Sequence, residues 1–259
     1  MKKLALIVGI NYPGTMNELG GCVNDADNIL HKLINEFGFK LNNTQLLIDE
    51  AATKKNILEG IDWLVHQLQE GDVGVFFYAG HGTRTIDLPP IDEPEMLDEA
   101  IVPIDAINDR SLLIRDDEIH EKLQNLVQGV HFVVIFDSCH SETGTRLLES
   151  YNDKKRMLPL SKIVKKTMKI VGDLHTEEAL RDTHPLAGNH ILLAGCKANE
   201  SSFDNGENGY FTRALIKEMK QGITYQDLYT RVYSIVMNET NEAQHPQIEG
   251  PDTNRKIFE

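Results

Sequence analysis

The stretch HFVVIFDSCHSE, residues 131–142, holds a contradiction that decides how the chain is read. Phe132 to Phe136 are five consecutive apolar residues, the pattern of a strand buried on both faces. They run straight into Asp137, Ser138, Cys139, His140 and Ser141, groups that burial penalises. In an open parallel sheet the carboxyl ends of the strands are where ligands and chemistry gather. Cys139 is therefore a candidate nucleophile, and a nucleophilic thiol needs a base. His140 is poorly placed for that role, because neighbouring side chains of an extended strand point to opposite faces.

Working outward, similar apolar runs recur at 4–10, 44–49, 73–80 and 190–196, each bounded by turn residues. Helical periodicity fills the intervals at about 25–37, 54–69, 116–127, 209–220 and 225–238. The alternation predicts an α/β fold, a three-layer sandwich whose mostly parallel central sheet carries helices on both faces. No low-complexity linker interrupts it, so residues 1–259 read as one domain. Two segments break the pattern: a Pro-rich acidic loop at 87–99, and an insertion at 142–188 whose first half is basic. Long irregular segments of this kind tend to be functional or mobile.

Forty acidic against 26 basic residues give a formal charge of -14, which argues against nucleic acid or an anionic membrane and favours cationic partners. Cys22, Cys139 and Cys196 are widely spaced and odd in number, so neither a disulfide framework nor a zinc knuckle is indicated, and a cytoplasmic, reducing setting fits. The opening MKKLALIVGI has too short an apolar run, and no cleavage site, for a secretory leader; it reads as the first strand. No apolar stretch approaches the roughly 20 residues of a membrane span.

A second polar residue stands at a strand end: His81, in VFFYAGHGT, between Gly80 and Gly82. If both strands lie parallel in one sheet, His81 and Cys139 emerge at the same edge, and the imidazole can take the thiol proton. Gly82 permits close backbone approach, so its N–H can face a developing oxyanion.

YAGHGT followed by DSCHS, with ALIVGINYPG, GCVNDADNI, DEAIVPID, IRDDEI and QHPQIEG in order, resembles the caspase-like cysteine peptidases, and within them the metacaspases, or orthocaspases. The resemblance spans most of the chain. It implies a caspase-like sandwich, a catalytic His81–Cys139 dyad, and an oxyanion hole from the backbone of Gly82 and Cys139. It also implies a first specificity pocket lined by Cys22, Asp25 and Asp137, suited to Arg or Lys in protein or peptide substrates. Asp137 lies two residues before the nucleophile, on the same strand face. The arginines and QACxG-type motif of enzymes that cleave after aspartate are not evident.

Calcium, activating rather than catalytic, is the implied cofactor, with Asp98, Asp116 and Asp117 at the matching positions; hard oxygen ligands suit it. A fourth acid expected soon after the cysteine is not obvious, since Arg146 and Leu147 fall there. Two further departures are Ala79, where relatives carry serine, and Glu142, where they carry glycine. The sequence thus reads as a monomeric cysteine endopeptidase that cuts itself after one of Lys154, Lys155, Arg156, Lys165 or Lys166, all in an insertion expected to be exposed. A calcium-independent, paracaspase-like peptidase and a catalytically silent binding scaffold are the alternatives.

Overall fold

The computed structural model describes residues 1–86, 97–139, 153–162, 164–166, 189–197 and 200–259. Most of the 87–99 loop and of the 142–188 insertion, with His140, Glu142, Arg146 and Leu147, lies outside the described residues.

Strands β1 (Lys3–Gly9), β2 (Thr44–Ile48), β3 (Val73–Ala79), β7 (His131–Asp137), β9 (Ile191–Ala194) and β11 (Gln247–Glu249) form a six-stranded sheet in the order β11-β9-β7-β3-β1-β2. All pairings are parallel except β11 with β9. Every residue of β3 and β7 is buried, as their unbroken apolar runs require. Helix α1 (Cys22–Phe37) links β1 to β2, and α2 (Lys54–Gln67) links β2 to β3. The second crossover runs back across the sheet, so right-handed connections put α1 and α2 on opposite faces. Helix α3 (Asp116–Leu123) packs with α2, while α4 (Tyr210–Glu218) packs with α1 and with α5 (Tyr225–Glu239). The resulting three layers are the predicted α/β architecture. Helix α3 is shorter than its periodicity suggests, stopping before Val127.

Two small sheets sit beyond the main one. Strands β4 (Gly82–Ile86), β5 (Leu97–Ile101) and β6 (Ile114–Arg115) form an antiparallel sheet. Strands β8 (Lys154–Lys155) and β10 (Phe203–Asp204) form an antiparallel pair.

The chain ends close against the start of β7. The His131 ring is buried, its Nδ1 3.2 Å from the Glu259 carbonyl and its Nε2 2.9 Å from the Tyr225 hydroxyl. Tyr225 accepts from the Phe258 N–H, so it donates to Nε2 and the imidazole is neutral. Burial holds the His131 pKa down to about 4. A lowered histidine pKa contributes stability above pH 6.5 that is lost as pH falls toward 4, here on the order of 3 kcal/mol. We expect the melting temperature to drop over that interval and the drop to shrink in His131→Gln, measured by thermal unfolding across the pH series.

Candidate active site

Register aligns the ends of three strands: Gly9 pairs with Ala79, and Ala79 with Asp137. His81 and Cys139 each stand two residues beyond that aligned pair, at the same sheet edge.

Two tyrosines hold the His81 backbone. Tyr12 Oη accepts from the His81 N–H (2.9 Å) and donates to the Val102 carbonyl (2.6 Å), while Tyr78 Oη donates to the His81 carbonyl (2.7 Å). The Tyr12 ring stacks on the imidazole with centroids 4.6 Å apart. A side chain at Gly80 would collide with the Tyr78 hydroxyl, which explains the glycine before His81. Nε2 of His81 lies 2.6 Å from the Asn17 carbonyl and must carry the proton, leaving Nδ1 unprotonated, buried and without a hydrogen-bond partner. Burial pushes the His81 pKa down to about 4 and the Cys139 pKa up to about 12, so both side chains are neutral across the physiological range. No hydrogen bond joins them; the Cys139 thiol faces the Ser202 carbonyl at 4.0 Å.

The site is filled by the chain's own insertion. The insertion reads from sequence as an exposed basic loop, but Arg156 is completely buried. Its carbonyl accepts from both the Gly82 N–H (3.0 Å) and the Cys139 N–H (3.2 Å), and its own N–H donates to the Ser202 carbonyl (3.0 Å). Before it, Lys155 pairs with Phe203 and Lys154 with Asp204 in the β8–β10 ladder. After it, the Leu158 N–H donates to the Gly82 carbonyl (2.8 Å). Residues 154–158 thus cross the site as extended chain, held by backbone bonds on both sides of Arg156.

Three buried carboxylates surround the Arg156 guanidinium. Nη1 lies 2.9 Å from Asp137 Oδ2; Nη2 lies 2.5 Å from Asp25 Oδ2 and 3.0 Å from Asp204 Oδ2. Each carboxylate is anchored separately. Asp137 accepts from Ser202 Oγ (2.5 Å), Thr212 Oγ1 (2.6 Å) and Thr212 N–H (3.1 Å). Asp25 accepts from Asn208 Nδ2 (2.8 Å) and Gly209 N–H (2.9 Å), and Asp204 from the N–H groups of Gly21 (2.9 Å) and Gly206 (2.7 Å). Any side chain at Gly209 would strike Asp137 and the guanidinium, so that glycine is a wall of the pocket. Burial raises the Asp25 pKa to about 6 against the opposing pull of Arg156. At Asp204 burial also pushes upward, but Arg156 and the two backbone donors outweigh it and the pKa is lowered.

Asp25, Asp137 and Cys22, expected together from sequence, do meet here, with Cys22 Sγ 3.8 Å from Asp204 Oδ2. Sequence reasoning missed Asp204, Tyr12 and Tyr78. Asp204 sits in SSFDNGENG, which reads as a turn; the tyrosines lie in NYPG and VFFYAG, where they read as packing.

The acids expected to bind calcium lie elsewhere. Asp98 is buried, with Arg115 Nε 3.1 Å from its Oδ2. Ala100 pairs with Arg115, and Asp116 and Asp117 open α3 directly after that strand. Among the described residues no group of three or more His, Cys, Asp or Glu side chains forms a ready metal site.

The model of the caspase domain of peptidase family C14 matches residues 2–258. The chain belongs to that family. It is 30% identical over 288 residues to metacaspase-1 of Saccharomyces cerevisiae, covering 95% of this chain and 66% of that protein. It is 30% identical to metacaspase-1 of Schizosaccharomyces pombe, covering 95% and 67%. With metacaspase-5 of Trypanosoma cruzi it shares 31% over 266 residues, covering 94% and 56%. The chain therefore spans about two thirds or less of these relatives. Among solved structures, a Geobacter sulfurreducens protein superposes with TM-score 0.71 at 23% identity, over 100% of this chain and 98% of that one. Caspase-1 of Spodoptera frugiperda gives 0.58 at 13%, over 96% and 88%. These likenesses establish the caspase-like fold.

Within this caspase-like fold, Tyr12 fixes both the backbone and the ring of His81. Tyr12→Phe removes the acceptor for the His81 N–H while keeping the stacked ring. With the buried His81 N–H left unpaired, we expect the unfolding free energy to fall by about 1–3 kcal/mol, read from denaturant titration.

Proposed function

We propose that the protein is a cysteine endopeptidase that cleaves after basic residues and that its first substrate is its own Arg156–Met157 bond. The observation that carries this reading is the seating of Arg156, with its guanidinium among three carboxylates and its carbonyl between two converging N–H donors. The backbone bonds from residue 154 to residue 158 are those an extended peptide substrate would make. A silent scaffold gives no reason for a paired oxyanion cradle beside a thiol and an unprotonated imidazole nitrogen.

In this mechanism His81 Nδ1 takes the Cys139 proton, and the sulfur attacks the Arg156 carbonyl carbon. The oxygen, now anionic, stays between the N–H groups of Gly82 and Cys139. The C–N bond to Met157 breaks as His81 returns the proton to the departing amine, leaving Arg156 as a thioester on Cys139. Water, deprotonated by His81, hydrolyses the thioester and frees the Arg156 carboxylate and the thiol. The neutral starting pair makes this general-base chemistry, with proton transfer accompanying attack rather than a preformed ion pair.

Of the five basic residues proposed as self-cleavage points, Lys154, Lys165 and Lys166 are exposed and Lys155 is half-buried; Arg156 alone occupies the pocket. Intact-mass analysis of incubated protein should show the pieces 1–156 and 157–259, whereas Cys139→Ala and Arg156→Gln should remain whole. A cut elsewhere, or a cut that persists in Cys139→Ala, would contradict the assignment.

Calcium activation belongs to the same reading. Asp98, Asp116 and Asp117 would hold the ion, which would supply positive charge to carboxylates remote from the dyad. Carboxylate oxygens are the donor type a hard cation takes, and Arg115 competes for Asp98. Millimolar calcium should accelerate cleavage, and Asp116→Ala with Asp117→Ala should abolish both that response and calcium binding by calorimetry. Equal rates in calcium and chelator would favour the calcium-independent alternative.

A further inference from the structure

We infer that Asp204 makes this pocket select arginine over lysine, by fixing a second anchoring point that only a forked cation can reach together with the first. The inference rests on the peptidase reading and concerns its substrate class.

The two terminal nitrogens of Arg156 are used differently. Nη1 is committed to Asp137, at 2.9 Å from the carboxylate and 3.3 Å from the carbonyl. Nη2 is shared between Asp25 at 2.5 Å and Asp204 at 3.0 Å. Nε is buried without a hydrogen-bond partner, so recognition runs through the fork alone. A guanidinium is planar and presents its terminal N–H groups in fixed directions. A lysine ammonium is a single point at the end of a flexible stem. It can sit against Asp137 or between Asp25 and Asp204, but it cannot fill both positions. Whichever it leaves becomes a buried carboxylate facing no cation, a costly arrangement in a site closed to water.

Asp204 is suited to enforce this because it is held rigidly and kept charged. The N–H groups of Gly21 and Gly206 grip both of its oxygens. Its pKa is lowered, whereas burial raises that of Asp25 to about 6. With a lysine against Asp137, Asp204 stays fixed by those two donors and faces no cation. Its backbone also lies in β10, opposite Lys154, so the strand that aligns the peptide carries the discriminating side chain.

The test measures binding and turnover separately. Cys139→Ala combined with Arg156→Ala gives a protein whose pocket its own arginine no longer fills. Acetyl-Lys-Lys-Arg and acetyl-Lys-Lys-Lys peptides are titrated into it by calorimetry, with and without Asp204→Asn. The arginine peptide should bind at least about tenfold tighter, and Asp204→Asn should bring the ratio to within about threefold, mainly by weakening the arginine peptide. Active enzyme should show the same preference in kcat/KM on matching reporters. Equal binding of the two peptides without the Asp204 substitution overturns the inference, as does an Asp204→Asn protein that loses affinity for both alike. Should Asp204→Asn fail to fold, Arg156→Lys in the otherwise native chain decides. Self-cleavage slowed at least about tenfold supports the inference, and unchanged self-cleavage refutes it. Selective binding without any cleavage would sink the peptidase reading and leave the pocket assignment standing.

Discussion

The arrangement around Arg156 governs this sheet edge. Three carboxylates buried together would repel one another and each would face a large desolvation penalty. They come from the first turn of α1, the end of β7 and the short β10, so the elements converge on one point. A single guanidinium makes that convergence tolerable, helped by hydroxyl, amide and backbone donors that satisfy the oxygens it does not reach. The pull of these carboxylates outweighs the opposing effect of burial and raises the Arg156 pKa well above its ordinary value, so the cation is permanent.

Filling the pocket also dries the chemistry beside it. With the insertion seated, thiol and imidazole are shut away from water, and each is driven toward its neutral form. The site combines a carbonyl that accepts from two N–H groups with an un-ionised thiol. The donors to that carbonyl are backbone groups fixed by strand ends.

Much of this was legible in the chain. Unbroken apolar runs marked the central strands, because residues buried on both faces leave no alternation to misread. Polar residues at two strand ends marked His81 and Cys139, and same-face spacing linked Asp137 to the thiol. Two things escaped. Asp204 sits in a glycine- and asparagine-rich turn, where an aspartate is unremarkable by composition. Tyr12 and Tyr78 look like ordinary core aromatics, and only their hydroxyl contacts reveal that they clamp the histidine backbone. Arg156 was one of five basic residues expected to reach the pocket, and in DKKRM nothing local singles it out from its lysine neighbours.

The β8–β10 pairing makes the occupant of the site a covalently attached competitor. Its local concentration is set by chain geometry and does not change when the protein is diluted. An outside peptide meets only the fraction of molecules whose segment has swung away, so its apparent affinity is scaled down by that fraction. Emptying the site is a first-order event belonging to each molecule alone. The rate at which the pocket empties is therefore written into the contacts along residues 154–158, and not into how many copies are present.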